Sequence, residues 1–225
     1  MSKVALAIPI VIGVVAAIFL SVYFGNNSII PNANNAKNDS TTSEISLSDL
    51  IKRGSPRVGN SAATITIVEF GDYQCTFCYK FHRDSLDTLK KEYVDSGKVS
   101  LIFVDFPLNG PDSVLAAEAT HCANEQGKFW SMHDVIYQNW KGERTGWVTR
   151  DSLDQFANSV GIDTKSLDSC LNSAKYHQKV LDTYDFAQGI NIAATPSFLI
   201  ISNNGVTKIT GNQPLDVFRK VLDGI

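Results

Sequence analysis

Cys75-Thr76-Phe77-Cys78 stands where one periodicity stops and another starts. Before it, Ala63 to Phe70 is β-branched and apolar, bounded by Asn60-Ser61 and Gly71-Asp72, the pattern of a central strand. After it, Cys78, Phe81, His82, Leu86, Leu89 and Tyr93 recur mostly three or four apart, which predicts a helix over 76–95. Lys98 to Asp105 reads as a second strand, ending before Pro107. Strand, helix, strand implies neighbouring parallel strands joined by a right-handed crossover. Two thiols at the first junction of such a unit restrict both the fold and the chemistry.

Beyond Gly110 the period changes, and no strand is convincing until Ile192. Helices are predicted near 111–126, 128–140, 151–160, 164–172 and 173–189, with Asp151-Ser152 and Asp163-Thr164 as N-cap candidates. Thr195-Pro196 then punctuates the chain. Ser197 to Ser202 reads as a strand, Asn204-Gly205 as a hairpin turn, and Val206 to Thr210 as the returning strand. Residues 213–223 read as a last helix, with Pro214 in its first turn and Leu215, Phe218 and Leu222 as its apolar stripe. The class is α/β, ordered β-α-β, then a helical insertion over about 110–192, then β-β-α. The insertion is too long for a crossover helix and should pack as a subdomain.

The other end of the chain sets location. Val4 to Phe24 is 21 residues without a charged side chain. At about 1.5 Å per residue that is roughly 30 Å of helix, a bilayer's hydrocarbon thickness. Lys3 precedes it and the next cation is Lys37, so the positive-inside bias leaves the body on the extracytoplasmic side. A cleaved signal peptide is the rival, but Ser21 to Gly25 offers no good small-x-small site. We therefore expect one transmembrane anchor at 1–24, a flexible polar linker at 25–57, rich in Asn, Ser and Thr as far as Ser48 and with a short helix at Ser46 to Arg53, and a folded body at 58–225. With 20 Lys and Arg against 23 Asp and Glu, the chain lacks the clustered positive charge of a nucleic-acid binder.

At a helix start, partial positive charge and free N–H groups favour a thiolate. Cys75 lies there, so its pKa should fall below the usual value of about 8.5 and it can attack disulfides. Cys78, one turn in, would resolve the mixed disulfide. The metal alternative needs four ligands. His82 could supply a third after Cys75 and Cys78, but no second clean pair completes the set. No cofactor is implied.

Phe70-Gly-Asp-Tyr-Gln-Cys-Thr-Phe-Cys78, Ala116-Ala-Glu-Ala119 with Cys122, Gly127-Lys-Phe-Trp130 with His133-Asp134, and Ala194-Thr-Pro-Ser-Phe198 occur in that order. Together they resemble the DsbA-like thiol:disulfide oxidoreductases, thioredoxin folds with a helical insertion, over about residues 55–225. The resemblance implies Cys75 as nucleophile, Cys78 as resolving thiol, and Thr195-Pro196 as a cis-proline loop facing them. The Thr195 backbone could then pair with an extended substrate. It also implies a buried acid at Glu69, able to accept the Cys78 proton; the alternative is a strand-edge acid in solvent. Thr76-Phe77 replaces the Pro-His of the best-known oxidases. Without that histidine, Cys75 should be less acidic and the protein a milder oxidant.

Cys122 and Cys170 each share a stripe with apolar residues and face the insert's core, as a structural disulfide or as two buried thiols. In an exported chain with an even cysteine count the bridge is favoured. Phe129, Trp130, Tyr137 and Trp140 read as core. Trp147, past a glycine-bounded loop, reads as exposed and able to border a substrate groove. His121, His133 and His177 are assigned no chemistry.

The expected function is a membrane-anchored oxidase that donates the Cys75–Cys78 disulfide to exported proteins. A reductase or isomerase, or a metal chaperone using the cysteine pair, are the alternatives. Residues 25–57 are too short and polar for the dimerisation domain of superfamily isomerases. The resemblance also implies a quinone-linked membrane reoxidase of the DsbB or VKOR kind.

Overall fold

The structure, a computed structural model, describes residues 46–225. The anchor expected at 1–24 and most of the linker lie outside these residues. Among the described residues no helix is long and apolar enough to cross a membrane.

Strands β1 (Val58–Gly59), β2 (Ile65–Gly71), β3 (Val99–Asp105), β4 (Ser197–Ser202) and β5 (Gly205–Thr210) form one sheet in the order β1-β3-β2-β4-β5. β2 and β3 run parallel, from Ile65↔Val99 to Gly71↔Asp105, and every other pairing is antiparallel. Every residue of β2 and β3 is buried, because helices cover both faces. Alternation along β2 sends Ile65 and Ile67 to one face and Val68 and Phe70 to the other.

The first face carries the long helix that begins at the cysteine pair: α2 (Thr76–Phe81), a π turn at His82–Leu86, α3 (Asp87–Leu89), and a second π turn at Lys90–Val94. Phe81 to Leu86 and Leu89 to Val94 are five-residue steps, and all four side chains are buried in one cluster. A widened turn keeps five-residue neighbours on the same face. The second face is covered by Leu50 of α1 (Leu47–Arg53) and Ala187 of α8 (His177–Gly189).

The insertion comprises α4 (Pro111–Asn124), α5 (Phe129–Gln138), α6 (Arg150–Ser159), α7 (Thr164–Asn172) and α8. Helix α9 (Leu215–Leu222) closes the fold, burying Phe218 and Leu222 beside the first face. A disulfide joins Cys122 of α4 to Cys170 of α7, with Cα atoms 5.8 Å apart and 48 residues of separation. On the chain-entropy account a loop of that length contributes about 4 kcal/mol.

Four details differ from the sequence reading. Residues 46–57 fall within the expected linker; the short helix expected at Ser46 to Arg53 is present as α1, but the segment is packed on the sheet rather than flexible. Leu50 anchors α1 on the sheet, the Ser55 amide donates to the Phe103 carbonyl at 2.7 Å, and the Phe103 amide donates back to the Ser55 hydroxyl at 2.9 Å. Trp147 is buried rather than exposed: it packs near Phe156, and its indole N–H donates to the Gly142 carbonyl at 2.8 Å. The N-cap of α6 is Thr149, in a reciprocal box with Ser152, not Asp151 or Ser152. The hairpin turn falls on Asn203-Asn204, and Gly205, at φ +122°, is already paired with Ser202.

Candidate active site

Asp72 shapes the loop that follows β2. The residue is buried, and its carboxylate oxygens are shared among many donors. Oδ1 accepts from the Gln74 amide at 2.7 Å and the Ser113 hydroxyl at 2.7 Å. Oδ2 accepts from the Leu108 and Asn109 amides at 2.6 and 2.8 Å. The first contact is an Asx turn, which starts the bend toward Cys75; the others tie that bend to the start of the insertion. Burial raises the Asp72 pKa against the pull of these hydrogen bonds. Gln74 is equally buried. Its side-chain N–H groups donate to the Asn109 carbonyl and the Ser113 hydroxyl, and its own carbonyl accepts from the Trp140 indole at 2.9 Å. Sequence reasoning missed both residues. Only an Asp two residues before Gln74 hinted at the turn, and their other partners lie 35 or more residues away.

Cys75 is the N-cap of α2, with extended backbone angles. It is 5 % exposed, whereas Cys78 has no exposure. Both are free thiols in this structure. The Cys75 S–H points to the Thr195 carbonyl, 3.4 Å away. The Thr195-Pro196 peptide is cis, which brings this loop against the thiol pair. Interaction with the Cys78 thiol, assisted by Thr195 and the Phe77 and Cys78 amides, lowers the Cys75 pKa to about 7 against the opposing effect of burial. Burial pushes Cys78 well above the usual thiol range, and the nearby Cys75 and Glu69 push the same way. The two thiols are thus split into one that ionises near neutral pH and one that holds its proton.

Glu69 follows from the strand alternation. It shares the face of Ile65 and Ile67, directed at the helix that carries Cys78. Its register neighbours are Phe103 on β3 and Phe198 on β4. Burial in this apolar setting, with the Cys75 charge as a second cause, raises its pKa to about 8. It is therefore a neutral carboxylic acid at pH 7, not a strand-edge acid in solvent.

His82 does not join the thiols. Its Nε2 lies 3.2 Å from Asp134 Oδ1, and its ring stacks on Tyr137 at 4.8 Å. His133 meets the same carboxylate oxygen at 3.1 Å. Among the described residues, this trio is the one His/Cys/Asp/Glu group close enough to ligate a metal, and it excludes both cysteines. His121 forms a buried pair with Asp105 at 2.7 Å, and His177 pairs with Glu118. Tyr79 stacks flat on Trp140 at 4.5 Å, which pins the active-site helix to the insertion. Phe77, between the two cysteines in sequence, is 55 % exposed, a large apolar side chain that faces solvent.

Comparison with known proteins agrees with this arrangement. The family profile described as Thioredoxin matches residues 52–224. A probable disulfide bond formation protein D of Bacillus cereus is 34 % identical over 170 residues, 74 % of this chain and 76 % of that protein. The disulfide bond formation protein D of Bacillus subtilis is 31 % identical over 151 residues, 66 % of this chain and 68 % of its own. The crystal structure of oxidised BdbD from Bacillus subtilis matches with a TM-score of 0.71 at 28 % identity, covering 77 % of this chain and 93 % of that one. Wolbachia pipientis α-DsbA1 matches with a TM-score of 0.66 at 25 % identity, covering 75 % and 88 %.

Proposed function

The chain belongs to the thioredoxin family, within its DsbA-like thiol:disulfide oxidoreductases, and on that premise we propose that it donates the Cys75–Cys78 disulfide to exported proteins. The observation that carries this reading is the split between the two thiols, one lowered to about 7 and one held protonated. A substrate thiolate attacks Cys75 Sγ of the disulfide form and makes a mixed disulfide. Cys78 leaves and takes a proton, which Glu69, neutral at pH 7 and facing it, supplies. A second substrate thiolate then attacks the substrate sulfur and releases Cys75 as a thiolate, a good leaving group. The substrate has lost two electrons and the cysteine pair has gained them. Thr195 offers its backbone to the bound polypeptide, and exposed Phe77 offers apolar contact beside the reacting sulfur.

A donor of this kind must be reoxidised. We assign that step to a quinone-linked membrane partner of the DsbB or VKOR kind, met at the membrane by a chain anchored through Val4 to Phe24. The support is the length of that uncharged segment and the position of Lys3 before it. In a membrane fractionation the full chain should stay in the pellet through alkaline carbonate washing, and lose that retention when residues 1–24 are removed. Release of the intact chain by the wash would overturn the anchor.

The measurement that tests the function is the reduction potential of the Cys75–Cys78 pair in glutathione buffers, with thiols counted by mass shift. An oxidant lies near about −120 to −180 mV. One observation favours a second reading, as a reductase or isomerase: a nucleophile near 7 is closer to thioredoxin's, at about 7, than to that of DsbA, at about 3.5. A potential near about −270 mV would sustain that reading and sink the donor role.

A further inference from the structure

We propose that Glu143 tunes the Cys75–Cys78 couple: its carboxylate, bonded to the Thr76 amide beside Cys75, disfavours the Cys75 thiolate and weakens the pair as an oxidant. The inference rests on the thiol chemistry assigned above and adds to it a residue 67 positions away from the contact it makes. Glu143 Oε1 accepts from the Thr76 amide at 2.7 Å. Thr76 is the first residue of α2, directly after the nucleophile. Among the described residues Glu143 takes part in no ion pair, so its charge is not neutralised by a neighbouring cation.

The loop that carries Glu143 is built to hold it there. Gly142 and Gly146 take φ of +110° and +74°, and Arg144 takes φ +54°, a left-handed conformation that a non-glycine residue adopts at a cost. The cost is offset by fixed contacts. The Arg144 amide donates to Gln74 Oε1 at 2.9 Å, the Trp147 indole to the Gly142 carbonyl at 2.8 Å, and the Thr145 hydroxyl to the Lys141 carbonyl at 3.1 Å. Gln74 is the residue before Cys75. The insertion therefore reaches across to the nucleophile twice, once through Gln74 and once through Glu143.

The groups around Cys75 then divide by sign. The Cys78 thiol, Thr195 and the Phe77 and Cys78 amides lower its pKa, while Glu69 lies beneath it as a neutral acid. Glu143 is the exposed anion on the outer side, occupying the Thr76 amide. Reduction converts the disulfide and two glutathione thiols into the Cys75–Cys78 dithiol and glutathione disulfide. At neutral pH part of the product is the Cys75 thiolate. A nearby negative charge raises the energy of that product and leaves the disulfide form untouched, so the equilibrium shifts toward disulfide.

The test measures this glutathione equilibrium and the Cys75 pKa, the latter by ultraviolet absorbance of the thiolate. It uses the full chain in detergent, as wild type, Glu143→Gln and Glu143→Lys. Glu143→Gln keeps an acceptor for the Thr76 amide and removes only the charge. We expect the equilibrium to move toward the dithiol by about threefold for Gln and about tenfold for Lys, the latter about 30 mV for a two-electron couple. The Cys75 pKa should fall in the same order. Both shifts should shrink at about 1 M salt, where the screening length is about 3 Å. Equal shifts for Gln and Lys that ignore salt would mean that loop geometry, not charge, acts, and would overturn the proposal; so would no shift, or a shift toward disulfide. Failure of the wild type to exchange two electrons with glutathione would instead overturn the function itself.

Discussion

Replacing Cys78 by Ser should turn the protein into a trap that stays joined to its substrates through Cys75. A mixed disulfide formed when the Cys75 thiolate attacks a disulfide-bonded polypeptide is short-lived in the wild type, because Cys78, held one turn away, attacks Cys75 Sγ at a high effective concentration and expels the polypeptide thiol, the reverse of the donation step. Without Cys78 that route is closed, release needs a thiol from the substrate or the buffer, and the adduct should live longer by about 10³-fold or more. Non-reducing gels should show bands that collapse on reduction, and mass spectrometry should place the link at Cys75. Cys75→Ser should give no such bands and no disulfide formation above buffer, because the remaining thiol is fully buried and its pKa is raised. Adducts through Cys78 in that variant would reverse the assignment of nucleophile and resolving thiol. A quieter consequence follows for Cys78→Ala. The largest influence lowering the Cys75 pKa is the hydrogen bond from the Cys78 side chain, so in this variant, which keeps no donor there, Cys75 should titrate above about 7.

The second large effect is on stability, and it comes from Glu69. Its carboxyl titrates at about 8 in the folded protein, against 4.5 for the ordinary side chain. Between those values the folded protein holds a proton that the unfolded chain has released. The Glu69 contribution to stability therefore falls as pH rises from about 4.5 to 8, by up to about 1.4 kcal/mol per pH unit, and levels off above. Across the window this is on the order of 5 kcal/mol, and burial leaves no solvent screening to reduce it. Glu69→Gln should remove this contribution, so that its stability advantage over wild type grows with pH across the window, while the opposing slope of buried His133, whose pKa is lowered to about 4, is present in both proteins. Urea midpoints of the reduced protein between pH 5 and 6 test this where Cys75 is still largely protonated. Parallel curves for the two proteins would show that Glu69 is not the buried acid described. The same variant should release Cys78 more slowly in stopped-flow reduction, since no proton donor then faces it.

Much of this molecule is written locally. The β-branched run ending at Phe70, the three-and-four spacing after Cys75 and the apolar stripe at Leu215, Phe218 and Leu222 each occupy fewer than about 20 residues. Such patterns report which face of an element is buried, since side-chain direction follows the backbone period. The cysteine pair at a strand-to-helix junction could be read the same way, because a helix start carries its own electrostatics. Thr195-Pro196 was legible only through the order of motifs that resembles a known family; nothing in the dipeptide itself assigns its geometry.

What the tertiary structure alone decided are the contacts that cross from the insertion to the sheet. The Asp72 carboxylate collects donors from 108, 109 and 113; Gln74 meets Trp140 and Arg144; His82 turns to Asp134; Glu143 finds the Thr76 amide. Trp147 is buried for the same reason: the loop before it folds back, and Phe156 of α6 closes over it. These partners lie about 35 to 70 residues apart, apart from those of Trp147 itself, and no periodicity links them. Each depends on where a whole helix comes to rest, which is set by apolar packing summed over the subdomain. The sequence determined that a reactive thiol pair would stand at a helix start in an α/β fold. How acidic the nucleophile is, and which carboxylates face it from below and above, was decided only when the helical insertion packed against the sheet, because electrostatic energies depend on distances and burial that exist only in the folded chain.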